Sequence, residues 1–316
     1  MTQPSKIVDY DSNDYDYRTF WVGRDYEQRS EAAVLNRCMR RIGPSQWLVD
    51  LGAGYGRNYP RYRATARHVA LVDYSRNNLQ TAARLYAQDV ATQRLHLVRA
   101  DLNALPFRDG SFDVGVSIRV LHHLPNVDRT LPEMLRTLAA QALIDVPIKH
   151  HVFARLNAAA QGGYRAVVRT ATATPRVVGE SEYPFYSFHL DAIRRLLDRE
   201  GWDSGIAASV NNFRRWDQLL PRPLVAALNP AVRGLDAIAQ RIGRDWWGPN
   251  QFLHARRRMV STPHLMPADG ADFLAERMCC PSCRGSLLWG TDSATCAACG
   301  RTFQRDGGYW DFTIAS

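Results

Sequence analysis

Lysine is nearly absent from this chain: Lys6 and Lys149 are the only two, so the formal charge of +9 rests almost wholly on arginine. The arginines are scattered without a block, which reads first as an arginine-biased, solvated surface, with a dedicated RNA-binding face as the alternative. No apolar run approaches the roughly 18 residues of a membrane span, and the first residues are acidic and aromatic where a secretory leader would be basic and then apolar. These absences point to a cytoplasmic protein without a membrane span. Repeats and long low-complexity tracts are missing too, which excludes solenoids and arrays. Cysteine is rare until the end, where Cys38 is joined by Cys279, Cys280, Cys283, Cys296 and Cys299.

What is present is enough for a large core: 316 residues, 46% of them hydrophobic, give a prior of about two domains. The chain is organised around Val49-Asp50-Leu51-Gly52-Ala53-Gly54-Tyr55-Gly56-Arg57-Asn58. Trp47, Leu48 and Val49 end a buried strand, three alternate glycines make a turn, and a helix carrying Pro60 begins. Glycine permits positive φ and lets a ligand lie on bare backbone, while a helix start offers free N–H groups. A dinucleotide turn requires its third glycine where Arg57 stands, and Asp50 is poorly placed beside a pyrophosphate. The charge favours a nucleoside bearing an ammonium or sulfonium group.

The strand His68 to Asp73 follows, and an acid about 20 residues past a glycine turn can accept both ribose hydroxyls. The competing role for Asp73 is a helix N-cap, for which Ser75 is the better residue. A third strand, Leu95 to Arg99, leads to Ala100-Asp101-Leu102. Then Leu105-Pro106-Phe107-Arg108-Asp109-Gly110-Ser111-Phe112-Asp113 introduces a fourth, Val114 to Ile118, which ends in Arg119-Val120-Leu121-His122-His123-Leu124.

Four such motifs in this order resemble the class I S-adenosylmethionine-dependent methyltransferases, and the stretch from Asp73 to His123 looks most like the branch acting on quinones, lipids and other small metabolites. The resemblance implies an α/β fold, a doubly wound seven-stranded Rossmann-like sheet. It implies that Gly52, Gly54 and Gly56 shape the cofactor bed. Asp50 would face the amino-acid end of S-adenosylmethionine, Asp73 the ribose, and Asp101 with Leu102 the adenine, and Tyr74 and Ile118 complete the contacts. His122 and His123 stand where the fourth strand opens toward the methyl group. A histidine there could deprotonate the acceptor; the alternative is that the rings cap or pack, since transfer to a reactive nucleophile needs mainly alignment.

Helical spacing of Val34, Leu35, Cys38, Met39 and Ile42 predicts a helix over 30–42 and makes Cys38 a core thiol. Before it, Asp9 to Arg29 holds Tyr10, Tyr15, Tyr17, Phe20, Trp21 and Tyr26, either a flap over the cofactor mouth or a packing segment. After the fourth strand we expect an amphipathic helix at 128–140, a fifth strand at 143–147, a helix at 189–200, a sixth strand at 205–211 and an antiparallel seventh at 250–257. The Pro-Gly-Gly turn usual before the fifth strand is missing: the chain reads Leu138-Ala139-Ala140-Gln141-Ala142. Residues 148–185, with Lys149, His150, His151, Tyr164, Arg165, Tyr183 and Tyr186, and a proline-broken helical insertion at 214–248 are expected to wall the substrate side.

Residues 261–275 read as a linker. Beyond it Cys280-x-x-Cys283 and Cys296-x-x-Cys299 have the spacing of two knuckles that fold over one zinc. Disulfides are disfavoured without a secretory signal, and so short a tail needs a metal staple. Cys279 is a spare thiol or a substitute ligand. With Asp306-Gly307-Gly308-Tyr309-Trp310-Asp311-Phe312, the tail resembles zinc ribbons fused to, or activating, class I methyltransferases. The expected division is 1–45 flap and helix, 46–260 methyltransferase domain, 261–275 linker and 276–316 ribbon. The expected function is methyl transfer to an O, N or C nucleophile of a small-molecule acceptor. RNA methylation through the ribbon is the runner-up, lowered by the lack of an Asn-Pro-Pro-aromatic motif after the fourth strand. A non-catalytic cofactor-binding adaptor is the third reading.

Overall fold

The protein is described here by a computed structural model covering residues 11, 17–160, 162, 176–177, 185–214, 216, 220–242, 246–259 and 274–314. Tyr10, Tyr15, Tyr164, Arg165, Tyr183 and most of the expected linker therefore lie outside the described residues. Helix α1 (Asp25–Ile42) comes first, followed by β1 (Ser45–Leu51), the short α2 (Tyr59–Tyr62), β2 (Ala66–Asp73), α3 (Arg76–Leu85), α4 (Ala87–Ala91) and β3 (Leu95–Arg99). The chain continues through β4 (Phe112–Ser117), α5 (Val127–Arg136), β5 (Leu138–Pro147), α6 (Val152–Ala160), α7 (Leu190–Arg199), β6 (Trp202–Val210), α8 (Arg222–Ile242) and β7 (Asn250–Arg257). Four short strands close it: β8 (Leu287–Trp289), β9 (Ser293–Cys296), β10 (Thr302–Asp306) and β11 (Tyr309–Asp311).

The central strands lie in the order β3-β2-β1-β4-β5-β7-β6, with β7 antiparallel to both neighbours. Five parallel strands buried on both faces need continuous apolar runs, and β1 and β2 supply them in Trp47 to Val49 and Val69 to Val72. Because β1 pairs with β2 on one side and β4 on the other, the connections leaving β1 and β4 part in opposite directions and open a crevice at the strand ends. The glycine turn sits in that crevice.

The ribbon does not stand apart as a tethered module. Its last strand β11 pairs in parallel with β3 through Trp310↔Val98 and Asp311↔Arg99, so that β8 to β11 prolong the central sheet. Phe303, Trp310 and Phe312 share one apolar cluster with Val98, Ala100 and Phe107.

Four local expectations are corrected. Helix α1 begins at Asp25, five residues earlier than the apolar spacing indicated, because its first turns bury Tyr26, Glu27, Ser30 and Glu31, polar groups with distant partners. The stretch Leu138 to Ala142 is strand, not the end of a helix. Alanine favours helix, but pairing of Gln141 to Pro147 with β7 and the fit of Leu138 against the bare Gly115 override it. Helix α8 runs unbroken through Pro230, and the sixth strand starts at Trp202. Among the described residues no helix is long and apolar enough to cross a membrane.

Candidate active site

Each glycine of the turn after β1 has positive φ: +81° at Gly52, +57° at Gly54 and +77° at Gly56. Gly52 and Ala53 donate their N–H groups to Val72 O, and a Cβ on Gly52 would run into the Val120 side chain. Gly56 has a different task. A Cβ there would meet Leu71 Cδ1 at 2.8 Å and Tyr86 Cε2 at 3.0 Å, so this glycine seats the turn on β2 and does not face the cavity.

The cavity beside the turn is lined by Asp50, Gly52, Gly54, Asp73, Tyr74, Asp101, Leu102 and Ile118, all expected from the sequence, and also by Arg57, Asn78, Asn103, Arg119 and His123. At the tip of β2, Asp73 accepts from Gly54 N–H at 2.7 Å and from Ser75 N–H at 2.9 Å, which ties the glycine turn to the second strand. Ser75 caps α3 by accepting from Asn78 N–H at 3.2 Å, leaving Asp73 free of that duty. Asp101 Oδ1 accepts from Asn103 N–H and Nδ2, both at 2.8 Å, and so shapes the loop after β3. Asp50 is fully enclosed and accepts from the Tyr62 hydroxyl. Burial pushes its carboxyl up to about 7, further raised by Asp73 and only partly offset by Tyr62 and Arg57.

The two histidines part company. His123 lines the cavity, whereas His122 is buried behind it and stacks on Phe185 with ring centroids 4.1 Å apart. Burial holds His123 at about 4 and His122 well below the ordinary imidazole range, so both are neutral near pH 7. A base that weak has little driving force for taking a proton from an alcohol or amine.

A charged cluster adjoining the cavity was not foreseen. Glu31 of α1 is buried between Arg57, at 2.8 Å, and Arg119, and accepts from Arg119 Nε at 2.5 Å. Burial alone would raise its pKa; the two guanidinium groups outweigh this and hold it below the usual carboxylate range. Trp21 covers both arginines, its ring 3.7 Å from Arg57 Cζ and 4.8 Å from Arg119 Cζ. Behind them Asp145 accepts from Arg119 N–H at 3.2 Å and from Asn250 Nδ2 at 2.9 Å, yet burial and the nearby Glu31 raise its carboxyl to about 7. The one available signal was Arg57 in a glycine's place. Glu31 is 88 positions from Arg119, beyond any local pattern. Of the expected substrate-side walls, no described residue of 148–185 or 214–248 lines this cavity; the second packs α8 on α1 instead.

The methyltransferase domain family matches residues 49–144, spanning the turn, both flanking acids and the fourth and fifth strands. A demethylmenaquinone methyltransferase from Clavibacter sepedonicus is 30% identical over 138 residues, 43% of this chain and 54% of that protein. Residues 49–144 therefore carry a methyltransferase domain. A sarcosine/dimethylglycine N-methyltransferase from Halorhodospira halochloris is 26% identical over 147 residues, 41% of this chain and 52% of its own length. The chain thus spans about half the length of the curated relatives it matches. Among solved structures, magnesium protoporphyrin IX methyltransferase from Synechocystis PCC 6803 superposes with a TM-score of 0.46 at 14% identity, covering 77% of this chain and 88% of that one.

Against the β3 edge of the central sheet lies the ribbon. Sγ atoms of Cys280, Cys283, Cys296 and Cys299 all lie within 4.8 Å of one another, with Cys280 and Cys299 at 3.7 Å and Cys283 and Cys296 at 3.5 Å. A tetrahedron of thiolates about 2.3 Å from zinc has edges of about 3.8 Å, so the donor set fits that ion. Cys279 is buried outside the set and donates its N–H to Pro106 O at 3.0 Å. Arg284 bridges the ribbon to Glu133 of α5 at 2.7 Å, and Glu133 accepts in turn from Leu105 N–H at 2.9 Å. The loop carrying Asp101 and Leu102 is thereby braced from the ribbon.

Proposed function

We propose that this protein transfers the methyl group of S-adenosylmethionine to an O, N or C nucleophile of a small-molecule acceptor, releasing S-adenosylhomocysteine. The observation that carries the reading is one cavity at the β1/β4 switch point bounded by three carboxylates, Asp50, Asp73 and Asp101, with the bare turn at Gly52 and Gly54 between the first two. Asp50 would meet the ammonium group, Asp73 the ribose hydroxyls, and Asp101 with Leu102 the adenine; Arg57 and Arg119 offer positive charge for the cofactor carboxylate or an anionic acceptor. His123 stands at the acceptor side as a neutral wall. Its low basicity favours catalysis by alignment of an already reactive nucleophile over proton abstraction. Relatives named for menaquinone and for sarcosine support a small acceptor over RNA.

The four ribbon cysteines would hold structural zinc. With all four positions taken by thiolate, the ion fixes the ribbon's fold and leaves no open site for substrate. The test is transfer of radiolabelled methyl from S-adenosylmethionine into fractionated cell extract, with Asp73→Ala and Asp101→Ala proteins as blanks. Label in the small-molecule or organic fraction supports the reading. Label in RNA, lost on ribonuclease treatment, overturns the acceptor class, and no label anywhere despite cofactor binding leaves a binding protein.

A further inference from the structure

The loop that follows β3 lies along α5 and is held there by two side chains of that helix. Thr130 and Glu133 are three positions apart and therefore share one face. Glu133 Oε1 accepts from Leu105 N–H at 2.9 Å, and its carboxylate is gripped in turn by Arg136, Nε to Oε2 at 3.0 Å, and by Arg284, Nη2 to Oε2 at 2.7 Å. One turn earlier, the Thr130 hydroxyl lies 2.6 Å from Asn103 Oδ1, and Asn103 Nδ2 lies 2.8 Å from Asp101 Oδ1. Thr130, Asn103 and Asp101 all line the cavity; Glu133 does not.

The chemistry of these three groups leaves one way to place their protons. A carboxylate only accepts, so the amide nitrogen of Asn103 faces Asp101 and the amide oxygen faces Thr130. That oxygen also only accepts, so the single hydroxyl proton of Thr130 is directed to it, ahead of the Asn126 carbonyl at 3.2 Å. Protons therefore point in one sense, from Thr130 to Asn103 to Asp101. Thr130 is buried, so water does not compete for its hydroxyl. Asn103 N–H gives Asp101 Oδ1 a second donor at 2.8 Å. With Oδ1 filled in this way, Oδ2 accepts nothing among the described residues.

We propose that Thr130 and Asn103 are positioning residues that hold Asp101 Oδ2 as a pure acceptor on the cavity wall, and so set the selectivity of the site for a purine with a 6-amino group over one with a 6-oxo group. The inference rests on the reading of Asp101 as the adenine contact. An exocyclic amine gives that oxygen a proton. An exocyclic oxygen meets it as a second acceptor and leaves a desolvated carboxylate unpaired. Glu133 fastens the same loop without a hydrogen bond to Asp101, so it serves affinity and does not choose the base.

Calorimetric titration of the full chain with S-adenosylhomocysteine and with S-inosylhomocysteine, its 6-oxo analogue, separates these roles. The wild type should prefer the adenosyl compound about a hundredfold. T130V keeps the shape of the side chain without its hydroxyl, and N103A removes the amide; each should narrow the preference to about tenfold or less, and T130S should recover it. E133Q should weaken binding of both compounds alike and leave their ratio unchanged. If D101A abolishes the preference but T130V and N103A do not reduce it, the proposal is overturned while the adenine contact stands. A ratio that falls as far in E133Q as in T130V also overturns it, because a loosened loop would then suffice. Equal affinity of the wild type for the two compounds, or binding of neither, refutes the placement of Asp101 against adenine and the proposal with it.

Discussion

Cofactor binding should expel a proton from Asp50. With the cavity free of ligand this carboxyl sits at about 7, against an ordinary 3.8, because it is fully enclosed and Asp73 lies near. An ammonium group seated against it would restore the charged form. If the bound value returns to the ordinary one, the linkage gives release of about 0.9 proton at pH 6, about half at pH 7 and about 0.1 at pH 8, and an affinity about tenfold weaker at pH 6 than at pH 8. Isothermal titration of S-adenosylhomocysteine in buffers of different ionisation enthalpy reads the proton count directly. Asp50→Asn should bind more weakly and without proton exchange; Asp145→Asn, outside the cavity though its carboxyl also lies at about 7, should keep the exchange. Equal affinity at pH 6 and pH 8 with no proton released would refute the placement of a cation at Asp50.

The ligand-free protein should lose stability as pH rises from about 4 to about 7 on account of Asp50 and Asp145, whose raised values mean that the folded state holds more protons than the unfolded one across that window; Asp50→Asn should raise the melting temperature at pH 8 and flatten this slope. Glu31→Gln leaves Arg57 and Arg119 close together without their shared carboxylate and should cost about 3 kcal/mol in denaturant unfolding. Gly52→Ala combines positive φ with a collision against Val120 and should cost about 2 kcal/mol, of which Val120→Ala in the same chain recovers only the collision. One equivalent of zinc per chain is expected by metal analysis, and its removal by a chelator should lower the melting temperature by roughly 5 to 10 °C.

Motifs confined to a few consecutive residues were legible. Strand β3 at 95–99 lies where it was expected and the antiparallel strand at 250–257 where the family resemblance put it, and the switch-point acids share a cavity because parallel strands bring their ends together. What escaped depends on side chains brought from afar. Glu31 looks like one more polar residue on an amphipathic helix until Arg57 and Arg119 fold onto it. Ala139 and Ala140 favour helix by propensity, and pairing with β4 on one side and with β7, more than a hundred positions later, on the other decides for β5. Gly56 followed the alternation of its neighbours but packs against Leu71 and Tyr86, a distinction that spacing does not carry.

The parallel pairing of β11 with β3 also bears on how the chain reaches this state. Asp311 and Arg99 meet across 212 positions, so this contact closes one of the longest loops in the molecule, and closure entropy makes such contacts late. Until it forms, β3 is a free edge with unsatisfied N–H and C=O groups, the surface on which strands of other chains add. The ribbon would thus cover that edge only late in folding. Metal uptake, by making β8 to β11 available as a preformed unit, would set how long newly made chains spend with that edge open to aggregation.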